Sequence, residues 1–298
     1  MRILLTNDDG IDAPGIIAMF RALRDGGEAG PGVPVSGDAP NSTAPEPADL
    51  AGPTEVFAVA PMAVQSATSH GVTFHRPLMT RETPPGGEMV GVAVDGRPAD
   101  CVKLALTCIW PERYGPGSRP DLLISGMNCG ANCGINIIYS GTVAAALEGA
   151  FLGIPSIAVS LMIRPGPTRF DVAARYAREA IDRVLGTGLL GAHACVNINI
   201  PVTAQDGPTP PIAVAPMNTH GLVDQYERRI NPAGEVYYWS AGDGFEFREI
   251  DDDSDCHRLF NRCITVTPLG YDLTARSGLD VWRGALDKAA RMGAGKGR

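Results

Sequence analysis

Two adjacent carboxylates follow a short apolar run at the amino terminus of this chain. Residues 1–10 read MRILLTNDDG, and a helical pattern follows from Pro14. A short apolar run bounded by polar residues and glycine is typical of a buried strand in a parallel sheet. The pattern therefore predicts that Asp8 and Asp9 lie at the carboxyl end of a first strand, the edge at which open α/β sheets bind ligands.

Strand and helix patterns alternate through the first two-thirds of the chain. This alternation predicts an α/β fold with a doubly wound, mostly parallel sheet. The strands after the first are predicted over Val56–Ala60, Gly91–Val94, Leu122–Ser125, Ile157–Ser160 and Val196–Ile200. The helices are predicted over Gly15–Leu23, Ala99–Leu106, Thr142–Gly149 and Asp171–Leu185.

The pattern changes at Pro201, where turn-forming residues become frequent. We therefore predict a catalytic core over residues 1–200 and a C-terminal region over residues 201–298. The second region contains a hairpin strand at Val236–Trp239, a late strand at Ile264–Pro268 and a closing helix at Leu279–Met292. Exposed aromatic arms of this kind often form oligomer contacts. Residues 25–53 are rich in Gly, Pro, Ala and Ser, which predicts a flexible surface insertion.

Composition excludes several functional classes. The formal charge of -8 argues against a nucleic-acid-binding surface. No apolar stretch approaches the length of a membrane span, and a strand begins at once where a signal peptide would lie. The seven cysteines are odd in number and scattered, which favours a reducing, cytoplasmic compartment over a disulfide framework.

The carboxylate pair and a glycine-rich segment indicate a cation site. Close carboxylates repel each other unless a cation or proton neutralises them, and a hard divalent cation is the simplest solution. One aspartate capping the next helix is the alternative. Asn128 and Asn132, in the segment SGMNCGANCG (residues 125–134), offer carbonyl oxygens suited to Mg²⁺, Mn²⁺ or Ca²⁺. A glycine-rich connection with left-handed asparagines is the alternative there.

A predicted helix amino terminus and a serine complete the set. Ser140, Gly141 and Thr142 precede a run of good helix formers. Ser140 or Thr142 can cap this helix while free backbone N–H groups bind phosphate, although plain capping is the simpler reading. Ser66 follows the second strand, where it can ligate a metal, contact phosphate or merely form a turn. Together these groups are the equipment for metal-assisted hydrolysis of a phosphate ester.

The motifs resemble the SurE (survival protein E) family of metal-dependent nucleoside monophosphate phosphatases. Four blocks carry the resemblance, in the family's order: ILLTNDDGIDAPGI from Ile3, PADCV from Pro98, SGMNCGANCG from Ser125 and YSGTVAAALEG from Tyr139. The resemblance implies a Rossmann-like core and a C-terminal arm that swaps between subunits of a homodimer or homotetramer. The family's acidic residue and arginine after the second strand are replaced here by Met62 and Ala63.

The resemblance also assigns roles to residues. It implies one divalent cation per subunit and a phosphate site. The implied metal ligands are Asp8, Asp9, Ser66 and Asn128, and the implied phosphate-site residues are Asn132, Ser140, Gly141 and Thr142. The implied reaction is hydrolysis of nucleoside 5′-monophosphates to nucleoside and phosphate, with 3′-monophosphates and short polyphosphate as open further substrates. Asp8 and Asp9 are the catalytic candidates.

Several alternatives stay open at this point. Asp8 either orients a water or acts as the nucleophile through an aspartyl-phosphate. A receiver domain and a haloacid-dehalogenase-type phosphatase fit the acidic spacing less well, and a catalytically silent nucleotide-binding or oligomeric scaffold is the remaining rival. For His70 a surface or packing role is favoured over a site role. The acidic residues around 251–255 predict a solvated loop.

Overall fold

The computed structural model describes residues 1–24, 54–203, 206–241 and 246–294. The predicted insertion at residues 25–53 lies outside the described residues. The strands are β1 (Arg2–Thr6), β2 (Glu55–Pro61), β3 (Thr80–Glu82), β4 (Gly91–Val94), β5 (Leu122–Cys129), β6 (Ser156–Leu161), β7 (Cys195–Ile200), β8 (Ile212–Val214), β9 (Gln225–Ile230), β10 (Val236–Ala241) and β11 (Ile264–Leu269). The helices are α1 (Pro14–Arg24), α2 (Pro98–Leu104), α3 (Trp110–Tyr114), α4 (Gly141–Phe151), α5 (Phe170–Gly186), α6 (Asp255–Phe260) and α7 (Leu279–Ala294).

Nine strands form one mixed sheet in the order β3-β4-β2-β1-β5-β6-β7-β11-β8. The six central strands from β4 to β7 pair in parallel, whereas β3 and β11 pair antiparallel with their inner neighbours. The predicted α/β class with a mostly parallel sheet is therefore confirmed. The remaining two strands, β9 and β10, form a separate antiparallel hairpin, as the sequence predicted for the C-terminal region.

Helices cover both faces of this sheet. One apolar core joins alternate residues of the central strands, such as Ile3 and Leu5, to α1 and α5, while Leu4 and Leu123 join α2 and α4 in a second core. Because successive strand residues point to opposite faces, continuous apolar runs such as Ile3–Leu5 supply both cores. The carboxyl ends of β1 and β5 lie side by side, with Thr6 opposite Ser125 in the register.

Two local predictions are wrong. The strand predicted to end at Ser125 extends to Cys129, because β6 offers pairing partners to Asn128 and Cys129 after a shift of register. This bend requires glycine at position 126, where a Cβ atom would lie 2.2 Å from the carbonyl oxygen of Val159. The predicted helix over Ala99–Leu106 is α2, which continues through a π-helical turn (Ala105–Ile109) into α3.

The C-terminal region contributes to both the sheet and the surface. The strands β8 and β11 pair within the nine-stranded sheet, so the division at residue 200 stays a prediction. The solvated loop predicted for residues 251–255 is wrong at Asp255, which is fully buried at the start of α6. Within the described ranges, every helix is too short or too polar to cross a membrane.

Candidate active site

The carboxylates Asp8 and Asp9 lie where β1 ends and take different partners. The Oδ1 atom of Asp8 accepts a hydrogen bond from the Thr142 hydroxyl of α4, whereas Oδ2 of Asp9 accepts the Cys129 backbone N–H at 2.8 Å. Asp8 therefore contacts α4 on one face of the sheet, and Asp9 contacts the end of β5. Each carboxylate keeps a second oxygen for another ligand, and this geometry brings β1, β5 and α4 together.

Burial makes this carboxylate pair electrostatically unfavourable as it stands. It raises the pKa of Asp8 to about 6, with a further contribution from Asp9, against the lowering effect of Thr142. Burial also raises the pKa of Asp9, against the Cys129 hydrogen bond. Within the described residues, no cationic side chain is among the groups that shift either pKa. A buried and a half-buried carboxylate without a cationic neighbour fit a divalent cation.

The amino terminus of α4 closes one side of the site. Ser140 caps the helix, since its Oγ accepts the Val143 N–H at 3.1 Å, so of the two capping candidates it is Ser140 that acts. A Cβ atom at Gly141 would lie 2.9 Å from the Cβ of Asp8 and 3.0 Å from its Oδ2. Glycine therefore allows the first turn of α4, with its free N–H groups, to approach the carboxylate directly.

Asn128 and Asn132 occupy different positions. The Nδ2 atom of Asn128, at the end of β5, donates to the carbonyl of Gly130 at 2.7 Å, which leaves Oδ1 as the available ligand atom. Asn132 donates through Nδ2 to Ser160 Oγ at 2.8 Å, and Nδ2 keeps one further hydrogen. Asn128 thus suits a cation, and Asn132 offers one N–H to an anion.

Ser66 is exposed on the loop that follows β2. The backbone N–H of its neighbour Gln65 donates to the carbonyl of Asp8 at 2.7 Å. The N–H of Ser69 donates to the carbonyl of Tyr139, immediately before α4, at 3.1 Å. Ser66 therefore lies in a loop segment that is anchored to Asp8 at Gln65 and to the residue before Ser140 at Ser69.

These donors form a hard oxygen set. Within the described residues, no cluster contains three or more His, Cys, Asp and Glu side chains. The predicted ligands are instead two carboxylates, a serine hydroxyl and an amide carbonyl, which are typical of Mg²⁺, Mn²⁺ and Ca²⁺ rather than of zinc.

Sequence reasoning missed three buried polar residues that hold the glycine-rich segment. Asn197 and Asn199 of β7 both donate through Nδ2 to the carbonyl of Asn132, at 2.8 and 2.9 Å. Asn199 Oδ1 also accepts the Asn132 N–H at 2.8 Å, and Asp255 accepts the Gly134 N–H at 2.8 Å. The alternation of asparagine with apolar residues in CVNINI was the available signal, since a buried strand rarely carries polar side chains without partners.

A cavity of about 530 Å³ adjoins the site on the side opposite α4. Met62, Val64 and Phe170 supply apolar surface, and the charged side chains of its lining are Asp9 and Asp12. No lysine, arginine or histidine is among the described residues that line it. Its size is that of a small-molecule pocket, and its lining favours a neutral group over an anion.

Comparisons with known proteins show which family the chain resembles. The sequence model of the family described as Survival protein SurE matches residues 44–222. The chain is 38% identical over 296 residues to "5′-nucleotidase SurE" of Desulforudis audaxviator, covering 96% of this chain and 100% of the relative. It is 39% identical over 292 residues to "5′-nucleotidase SurE 1" of Thermus thermophilus, covering 97% and 100%.

A solved structure supports the same relationship. The crystal structure of SurE from Aquifex aeolicus superposes with a TM-score of 0.72 at 31% sequence identity. The match covers 94% of this chain and 98% of that chain. By sequence along nearly its whole length, and by fold, this chain belongs to the SurE family.

Proposed function

We propose that this chain is a divalent-metal-dependent 5′-nucleotidase that hydrolyses nucleoside 5′-monophosphates to nucleoside and phosphate. The hydrogen bond between Thr142 and Asp8 carries the proposal, because it joins a carboxylate pair to a helix amino terminus that is suited to phosphate. The names of the relatives support a nucleotidase, and family membership leaves no place for a receiver domain or a haloacid-dehalogenase-type phosphatase.

Asp8, Asp9, Ser66 and Asn128 would hold one Mg²⁺, Mn²⁺ or Ca²⁺ per subunit. When bound, such a cation supplies Lewis-acid polarisation of a phosphoryl oxygen. The backbone N–H of Gly141 and the free N–H of Asn132 would bind the equatorial oxygens and stabilise their negative charge. Thr142, whose hydroxyl and backbone N–H both act on Asp8, would orient that carboxylate. Asp8 uses Oδ1 for Thr142, so Oδ2 is the atom that orients the attacking water.

The opposing mechanism makes Asp8 the nucleophile. A phosphoenzyme would then accumulate and could be trapped by acid quenching with labelled substrate. We favour water because a carboxylate committed to a cation and a hydroxyl is a poor nucleophile. Recovery of label on the protein would overturn this choice.

The cavity beside Asp9 supports a nucleoside as the rest of the substrate. Its apolar surfaces at Met62, Val64 and Phe170 suit a sugar and base, whereas Asp9 and Asp12 would repel further phosphates. This lining favours monophosphates over short polyphosphate. Phe170→Ala should raise KM for nucleoside monophosphates and leave KM for methyl phosphate, which has no sugar or base to contact Phe170, unchanged.

We further propose a homodimer or homotetramer that assembles through the C-terminal arm, defined here as the β9–β10 hairpin and α7. Tyr226, Tyr238, Trp239 and Trp282 are largely exposed on this arm. The cytoplasm is the proposed compartment, because all seven cysteines lie in the described residues and are free thiols.

The deciding experiment measures phosphate release from nucleoside 5′- and 3′-monophosphates and from short polyphosphate. Each substrate is tested with EDTA and with added Mg²⁺, Mn²⁺ or Ca²⁺. Metal-dependent release from 5′-monophosphates is the expected result. Absence of release with every metal would favour the silent-scaffold alternative, with the Met62 and Ala63 replacements as its first suspected cause.

A further inference from the structure

Residues 65–73, here called the Ser66 loop, contact four separate elements although Ser66 itself is exposed. We propose that two buried carboxylates, Asp100 of α2 and Glu148 of α4, are positioning residues that clamp this loop and thereby hold Ser66 at the cation site. This inference rests on the proposed function for the role of Ser66. The clamp itself follows from contacts that do not involve a cation.

Asp100 binds the far end of the loop. Its Oδ1 accepts the Thr73 N–H at 2.8 Å, and its Oδ2 accepts the Thr73 hydroxyl at 2.7 Å and the Arg97 N–H at 2.9 Å. Only 3% of Asp100 is exposed, so these three donors replace the water that an ionised carboxylate requires. Asp100 belongs to the PADCV block, to which the sequence analysis assigned no role.

Glu148 binds the loop three residues earlier, at His70. Its Oε2 lies 2.7 Å from His70 Nε2, and its Oε1 accepts Lys103 Nζ at 3.2 Å. Burial raises the pKa of Glu148, but the hydrogen bonds from His70 and Lys103 outweigh burial and lower it below its ordinary value, so the group is ionised. The His70 ring also stacks on Phe151 of α4, with ring centroids 5.3 Å apart.

The near end of the loop is held by the site itself. The Gln65 N–H donates to the Asp8 carbonyl. Ser69 donates its N–H to the carbonyl of Tyr139 and its hydroxyl to the carbonyl of Ile138 at 2.7 Å, both in the segment that precedes α4. Ser66 therefore sits between two fixed points, and Asp100 and Glu148 prevent the segment after Ser69 from pulling away.

The backbone of the loop needs such restraint. Ala67 and Ser69 both have φ of 54°, a left-handed conformation that non-glycine residues rarely adopt. Such backbone angles are unfavourable for non-glycine residues and persist only where surrounding contacts impose them. A loop without its clamps would relax toward ordinary backbone angles and move Ser66 away from Asp8.

The test uses Thr73→Val, which keeps the side-chain shape but removes the hydroxyl donor, and Glu148→Gln, which removes the charge that His70 and Lys103 bind. Thr107→Val is the matched control, because the Thr107 hydroxyl donates to the carbonyl of Lys103 and not to the loop. Two readouts are taken on the full chain: amide hydrogen exchange of residues 65–73 in EDTA, and Mn²⁺ affinity by titration calorimetry without substrate. Turnover of adenosine monophosphate at saturating Mn²⁺ is measured beside them.

Both loop variants should exchange faster over residues 65–73 and bind Mn²⁺ about tenfold more weakly, the effect typical of residues that orient metal ligands. Turnover at saturating Mn²⁺ should fall much less than Mn²⁺ affinity, and Thr107→Val should match the wild type in all three measurements. Unchanged exchange in both loop variants would overturn the clamp, as would an equal change in Thr107→Val. If the wild type binds no Mn²⁺ and releases no phosphate, the proposed function fails, while hydrogen exchange still decides whether the clamp exists.

Discussion

Polar side chains are buried at one region of the molecule, and apolar side chains are exposed at another. The first region is the site edge, defined here as the carboxyl ends of β1 and β5 with the start of α4. The second is the C-terminal arm. Asp8 and Thr142 are 5% and 0% exposed, whereas Tyr238, Trp239 and Trp282 are 64%, 61% and 69% exposed. Burying a carboxylate and exposing an aromatic ring both oppose the usual distribution of residues.

The two departures are resolved in different ways. At the site edge every carboxylate has a donor within this chain, and the remaining unfavourable charge suits a cation. On the arm, the described residues supply no cover for the aromatic side chains, so the cover proposed here is a second copy of the chain. The buried charge at the site edge thus indicates a ligand, and the exposed aromatic side chains of the arm indicate a subunit contact.

The largest effect is expected at Asp8. Asp8→Asn keeps the acceptor for Thr142 but removes the negative charge, so turnover should fall by more than the roughly 10–100-fold that outer partners of metal ligands give. Phosphate release with Mg²⁺ or Mn²⁺ measures this loss. Asp252→Asn, at an exposed carboxylate outside the site and its cavity, is the control. Activity near wild type in Asp8→Asn would refute the metal assignment.

The same substitution should stabilise the cation-free fold. Because the folded pKa of Asp8 is raised from 3.8 to about 6, its stabilising contribution is complete below pH 3.8 and is lost as the pH rises through 6. The difference between these values corresponds to about 3 kcal/mol at pH 7. Denaturant unfolding in EDTA between pH 4 and 7 should show Asp8→Asn gaining stability over the wild type as pH rises. A constant difference would show that Asp8 titrates normally.

One substitution placed in both regions should have opposite effects. Gly141→Ala puts a Cβ atom 2.9 Å from Asp8, which displaces α4 from the carboxylate and should lower kcat/KM by about 10–100-fold. Gly284→Ala in α7 meets no atom within 4 Å, so it should raise stability by up to about 1 kcal/mol through helix propensity. Thermal unfolding and steady-state kinetics of both variants test this contrast. Equal losses of activity in the two variants would contradict it.

The smallest effect on chemistry is expected on the hairpin. Trp239→Ser removes an exposed ring from the proposed subunit contact, so it should lower the oligomer mass measured by light scattering. Trp239 is far from the catalytic residues in sequence. Turnover per subunit should change little. If the mass stays that of the wild type, the hairpin is not the assembly surface.

Local patterns were sufficient for most elements of the core. The bounds predicted for β4 match the structure. Those for α5 differ by one residue at each end, and those for β7 differ by one residue at the start. The short β3 and β8 and the helix α6 were missed, because three to six residues carry too little periodicity to be distinguished from a loop. The positions of Asp8 and Ser140 were predictable because they follow a strand and begin a helix, whereas Asn128 lies within β5.

The sequence by itself determined which residues meet at the site edge, since the carboxyl ends of parallel strands must share one edge of the sheet. Only the tertiary structure decided what each residue does there. Ser140 caps α4 while Thr142 binds Asp8, a partner 134 positions away, and Asp255 holds Gly134 from 121 positions away. Such pairings depend on distances between packed elements, and a pattern of neighbouring residues does not contain these distances.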